Sequence, residues 1–140
     1  MPVRNHALIE TFHLPGLEHQ TLASLAQGVN GLEVWRQTIA PGARTPVHRH
    51  NCEEVIVVLR GSGHITMAGD EVAFDANSTI IVPPDAVHQL VNSGTEEMFL
   101  IGALGASPVK VTTAEGELIP LPWQGAYPFF AKQNEDDVGT

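Results

Sequence analysis

The sequence predicts an all-β fold, a sandwich or barrel of short strands, on three observations. Ten prolines and thirteen glycines cut the 140 residues into short apolar pieces. None of these is a long run with the 3.6-residue period of an amphipathic helix. They recur at short intervals with turn-forming residues between them, the pattern of a closed or two-layered sheet.

Residues 1–20 read as an irregular arm with Leu14-Pro15-Gly16 as a turn, free to pack on its own barrel or to reach a second subunit. Thr21–Ala26 and Leu32–Ala40 are the first predicted strands, the second closed by Pro41-Gly42. Thr45–Asn51 and Glu54–Arg60 follow, ending at Gly61-Ser62-Gly63, and His64–Ala68 and Glu71–Phe74 flank Gly69-Asp70. Ser78–Val82 stops at Pro83-Pro84-Asp85 and Val87–Asn92 at Asn92-Ser93-Gly94, after which Glu97–Leu104 and Pro108–Thr113 complete the set. Glycine and Asn supply the turn conformations at these breaks, and proline removes an amide that a ladder would need. The predicted barrel spans residues 21–113 within one domain of residues 1–140. In the C-terminal extension, residues 114–140, Leu121-Pro122-Trp123 carries apolar groups to dock on the barrel, and Lys132 to Thr140 is polar and expected to fray.

A chain of 140 residues is long enough for one hydrophobic core, and a 43% hydrophobic fraction is that of a folding sequence. Sixteen acidic residues against seven Lys and Arg give a formal charge of −9. Such a surface repels phosphate backbones and anionic lipids, so neither nucleic acid nor membrane is an expected partner. The scarcity of cations argues against polyphosphorylated substrates and leaves neutral or monoanionic small molecules. The lone Cys52 makes no intramolecular disulfide. Met1 to Phe12 has no apolar run before a small-residue cleavage site, and no stretch approaches the roughly 18 apolar residues of a membrane span. A cytoplasmic location is the expectation.

The chemistry-bearing pattern begins at Gly42. Five residues separate it from His48, one separates His48 from His50, three separate His50 from Glu54, and six lead to Gly61. A second block runs Asn77, Pro83, Asp85, His88, Asn92. Residues two apart on a strand share a face, so His48 and His50 present both imidazoles to one side, and Glu54 keeps that parity if Asn51–Glu53 introduces no bulge. His88, from a distant strand, completes the set only if the sheet closes or folds over. Three imidazoles and a carboxylate suit a divalent transition metal rather than calcium or magnesium. A His-x-His pair alone is weak support for a metal; the joint pattern is much stronger. Gly42, Gly61, Pro83 and Asn92 read as turn residues.

These two blocks resemble those of the cupin superfamily. The first is complete; in the second, Asn77 and Asp85 stand where the family has glycine, and both residue types tolerate a left-handed turn. The likeness covers about Leu32 to Leu104 and is similar to small bacterial single-domain cupins. It implies a double-stranded β-helix, or jelly roll, with His48, His50, Glu54 and His88 as metal ligands and a homodimer as a common assembly. One fold hosts many chemistries, so it does not imply one reaction.

Continued parity places Ile56, Val58 and Leu90 in the pocket below the metal, with Trp35, Phe74, Phe99 and Ile101 as further candidates whose ordinary reading is core. Cys52 reads as a small strand-turn hydrophobe facing away from the metal. His64 reads as an exposed strand residue, and His6, His13 and His19 as exposed arm residues. One of Arg36 and Gln37 must point inward; Arg49, between two inward histidines, should point outward. The expected function is that of a metal-dependent enzyme with Glu54 in the catalytic role, acting on a small organic molecule, with a non-haem iron dioxygenase first. A non-redox isomerase, lyase or hydrolase is the alternative, and a non-catalytic binding module the third. Iron is the first expected ion, with manganese, nickel, cobalt and zinc accepted by the same ligands.

Overall fold

The computed structural model describes residues 2–124, so the expectation for Lys132 to Thr140 lies outside the described residues. The strands are β1 (Phe12–Leu14), β2 (Leu17–Ala23), β3 (Glu33–Ile39), β4 (Arg49–His50), β5 (Glu54–Arg60), β6 (Gly63–Met67), β7 (Asp70–Phe74), β8 (Ser78–Val82), β9 (His88–Val91), β10 (Met98–Leu104) and β11 (Val111–Thr112). One sheet has the order β1-β2-β3-β10-β5-β8, and a second has β7-β6-β9. Bridges Arg44↔Val91 and His48↔His88 attach the segment leading into β4 to β9, and β4 in turn pairs with β11. The two layers enclose the core in the predicted jelly-roll barrel. No helix among the described residues is long and apolar enough to cross a membrane.

Alternation sets the interior. On β5, Glu54, Ile56 and Val58 are buried while Val55, Val57 and Leu59 are exposed. Nine buried residues, among them Ile39, Ile56, Ile65, Leu90 and Leu100, form one cluster between the layers. Trp35, Cys52, Leu104, Val109, Val111 and Leu121 form a second. Asn77 and Asp85, the two non-glycine turn residues, have φ of 66° and 63° and take the left-handed conformation expected of them.

Part of the expected arm is instead sheet. β1 and β2 form a hairpin about Pro15-Gly16, and β2 pairs with β3 in the register His19↔Gln37. The arm packs on its own barrel: Arg4 donates to the carbonyls of Thr21 and Leu22, and Gln20 to those of His6 and Ile9. The strand was hidden because its inward residue is the polar His19, which breaks the apolar alternation. The predicted Thr21–Ala26 strand stops at Ala23, where Ser24 and Gln27 close a capping box on a 3-10 turn, Leu25–Gln27. Thr45–Asn51 shortens to Arg49–His50, since Pro46 has no amide to give, and Pro108–Thr113 to Val111–Thr112.

Candidate metal centre and its cavity

His48, His50 and His88 converge, with one ring nitrogen from each lying within 4.8 Å of the others. Their convergence differs from the sequence expectation. His48 and His88 are direct cross-strand partners, each donating its amide to the other's carbonyl at 3.0 and 2.8 Å, so no folding-over of the sheet is needed to join them. Glu54 is the residue that crosses. After His50 the chain turns at Asn51 and Cys52 and enters the opposite sheet as β5. Strand parity therefore does not relate Glu54 to His50. The turn does, leaving Glu54 Oε1 at 3.6 Å from His50 Nδ1 and 3.8 Å from His88 Nε2.

The local backbone fixes two of the three imidazoles. The Nδ1–H of His48 donates to the Pro46 carbonyl at 2.6 Å, and that of His88 to the Ala86 carbonyl at 2.8 Å. A carbonyl only accepts, so Nδ1 carries the proton and Nε2 keeps its lone pair, the state a metal requires. Burial lowers all three pKa values, to about 4 for His48 and about 3 for His50, with neighbouring imidazoles adding to the effect on those two. Burial also pushes Glu54 up to about 8. At neutral pH the four groups are thus uncharged, and the 3.6 and 3.8 Å contacts are neither salt bridges nor hydrogen bonds.

These residues fit a metal ion. His50 Nδ1 is buried with no hydrogen-bond partner among the described residues. Leaving such an atom unpaired costs on the order of 1–3 kcal/mol, which coordination would offset. Gly102, at the middle of β10, makes room for the fourth donor: a Cβ there would lie 2.8 Å from Glu54 Oε2.

The cluster stands at the wall of a cavity of about 490 Å³ set between the two core clusters. Trp35, Ile56 and Leu90 line it; Val58, expected beside them, lies instead one pair further along β5 in the core. Phe99 and Ile101 do not line it, which corrects the sequence reading. The inward residues of β10 are Met98, Leu100, Gly102 and Leu104, and Leu100 fills the position given to its neighbours. An all-apolar strand carries no parity signal, so its inward face is not legible from the sequence. Phe99 instead sits on the outer face under the Arg36 guanidinium, at 4.7 Å. Gln37 is accordingly the inward member of its pair. Phe74 packs against the core cluster and Arg49 contacts Thr112. Cys52 belongs to the second cluster, and burial pushes its thiol up.

The far wall comes from outside the predicted barrel: Leu121-Pro122-Trp123 docks as expected, while the contribution of the arm was not foreseen. Leu14 and Leu17 come from the hairpin, and Leu121, Pro122 and Trp123 from the C-terminal segment. Apolar residues beyond the barrel were the only signal for these. Trp123 stacks on His19, centroids 3.5 Å apart at 12°, while Trp35 meets both edge-on. His19 is fully buried rather than an exposed arm residue. Gln37 donates to its Nδ1 at 2.9 Å, so its Nε2–H donates to Thr21 Oγ1 at 2.7 Å. Trp35 is held by its indole N–H on the buried carboxyl of Glu33, at 2.8 Å. His64 faces Glu71 and His13 faces Glu18, both away from the cavity.

His19 provides a pH test. Burial lowers its pKa to about 3, from 6.5. Between those values the unfolded chain binds a proton that the folded chain refuses, so stability falls as pH falls, by up to about 1.4 kcal/mol per pH unit. The stability is complete above pH 6.5. His19→Gln, which keeps an amide to bond, is expected to remove about one proton's worth of acid slope in urea unfolding of the metal-free protein from pH 7 to 4. An unchanged slope would show that His19 titrates normally.

The family model described as auxin binding protein matches residues 5–133. Auxin-binding protein 1 of Arabidopsis thaliana is 40% identical over 121 residues, covering 79% of this chain and 61% of that protein. The chain thus spans about three fifths of that relative's length. A gentisate 1,2-dioxygenase of Aquipseudomonas alcaligenes is 30% identical over 89 residues, 63% of this chain and 26% of that enzyme. Among solved structures, an RmlC-like cupin from Shewanella frigidimarina superposes with a TM-score of 0.67 at 22% identity, covering 77% of this chain and 93% of that one. The fold, the paired blocks and the family match agree: the chain has the cupin fold and belongs to the auxin-binding protein family.

Proposed function

We propose that this barrel binds one divalent transition metal through His48, His50, Glu54 and His88 and uses it to hold a small apolar organic ligand by an oxygen, as an auxin-type binding protein. The convergence of the buried imidazoles on the wall of an aromatic-lined cavity carries the reading. A bound ion would supply a Lewis-acidic centre with coordination positions left over for ligand oxygens.

The chain's own residues do the rest. The Pro46 and Ala86 carbonyls hold two imidazoles in the metal-binding tautomer. Glu54, which burial holds toward its protonated form in the metal-free barrel, would release that proton to bind a cation, placing one compensating negative charge beside it. Trp35 and Trp123, at 5.4 Å and 74°, form an apolar corner that excludes water and takes the flat face of a ring.

A second reading, a non-haem iron dioxygenase, uses the same site and is favoured by the likeness to gentisate 1,2-dioxygenase. One set of measurements addresses both. Protein purified without chelator should contain about one metal per chain, and indole-3-acetate should quench tryptophan fluorescence in the metal-loaded form but not after chelation. Quenching that survives metal removal would overturn ligand docking on the ion. Oxygen uptake by the iron-loaded protein on adding a small aromatic acid would move the assignment to the dioxygenase.

A further inference from the structure

The cavity has a charged rim that the metal does not explain. Of the five arginines, Arg4 bonds two carbonyls, Arg36 covers Phe99, Arg49 bonds Thr112 and Arg60 pairs with Glu97. Arg44 alone makes no hydrogen bond, ion pair or ring contact through its side chain among the described residues, and it lines the same cavity.

Its backbone is held firmly. The backbone of residues 42–45 is clamped on β9 and its exit: Gly42 N to Asn92 O at 2.9 Å, Asn92 N to Ala43 O at 2.9 Å, Thr45 N to Leu90 O at 3.0 Å. The buried Thr45 hydroxyl accepts the Leu90 amide at 3.1 Å, and Gln89 donates to the Thr45 carbonyl at 2.8 Å. The chain therefore presents a positioned cation at the cavity mouth of a protein whose formal charge is −9. Among the described residues Glu54 is the one acidic group lining the cavity, and it stands at the histidine cluster. The other polar groups nearby are engaged: the Gln37 amide on His19, the Gln89 amide on Thr45. Arg44 is four residues before His48, so their backbones stand at most about 14 Å apart along one wall of the cavity.

We propose that Arg44 is a specificity-determining residue that holds an anionic group at the outer end of the ligand. The favoured ligand class is then a two-ended molecule: an oxygen end for the metal, an apolar ring for the tryptophan corner, and a carboxylate for the guanidinium. This rests on the metal-docking reading above. An arginine–carboxylate contact gives charge-assisted hydrogen bonds, and the fixed backbone leaves only the side chain to be ordered.

The test uses the full chain loaded with cobalt(II), whose visible spectrum reports coordination, and two probes that share one ring, phenylacetate and 1,4-phenylenediacetate. The diacid is expected to bind roughly tenfold or more tightly than the monoacid, the range of a hydrogen bond to a charged group. Both should shift the cobalt spectrum. In Arg44→Met the diacid's advantage should disappear while metal content stays the same, and Arg44→Lys should restore part of it. Equal affinities in the unaltered protein, or an advantage that persists in Arg44→Met, would overturn the role of Arg44 and leave metal docking standing. Binding of both probes with no change in the cobalt spectrum would overturn the metal end, and the two-ended ligand with it.

Discussion

Replacing His50 or His88 with alanine is expected to lower bound metal from about one ion per chain to less than a tenth of that, with the barrel still folded. Each substitution removes one of four converging donors, and the two rings are buried with exposures of 3% and 2%, so no surface group can take their place. The barrel survives because both residues sit at the cavity wall rather than in the main cluster. In His50→Ala a buried, unpartnered nitrogen is removed along with the ring, which offsets part of the packing loss. Metal stabilises the native state by mass action, by about 4 kcal/mol at a thousand times its dissociation constant. The unaltered protein should therefore melt at higher temperature when metal is added, and neither variant should respond. Elemental analysis and calorimetry with and without zinc check this. Full metal retention in both variants would remove these histidines from the site.

Gly102→Ala should separate stability from metal binding. In a strand interior, glycine costs roughly 0.5–1 kcal/mol relative to alanine, so the metal-free variant should be as stable as its parent or slightly more so. The added methyl would nevertheless stand 2.8 Å from Glu54 Oε2. Gly102 is paired with Trp35 of β3 and Ile56 of β5, so its backbone has no room to retreat and the carboxylate must move. Displacing a group that orients a ligand typically costs ten- to a hundredfold in metal affinity, and that is the expected loss. Competition with a chromophoric chelator measures it. Shortening the side chain with Glu54→Asp in the same background should recover part of the affinity. Unaltered affinity in Gly102→Ala would mean that Glu54 does not ligate from its observed position.

Much of the barrel was legible because its signals are local. Glu54–Arg60 and Ser78–Val82 have the same limits in sequence and structure, with Gly61, Asn77 and Pro83 standing directly at three of their four ends. The four candidate ligands were legible because His and Glu at such spacing have few other uses in a small acidic chain. Their geometry was not. The His48↔His88 pairing and the passage of Glu54 into the opposite sheet depend on which strands are neighbours, a long-range fact. The first half of β2 reads as arm because its inward residue is a histidine, and β10 gives no sign of its inward face because both of its faces are apolar.

By itself, then, the sequence determined the fold class, the turns and the identity of the candidate metal ligands, since each follows from residue type and short spacing. The tertiary structure alone decided what surrounds them. His19 became a buried support for Trp123, Gln37 rather than Arg36 faced the cavity, and a lone arginine came to stand at its mouth. These arrangements depend on contacts between residues 15 to more than 100 positions apart, such as Gln124 on Val109 or Trp123 on His19. Such contacts form only when the layers close, and no local periodicity encodes them.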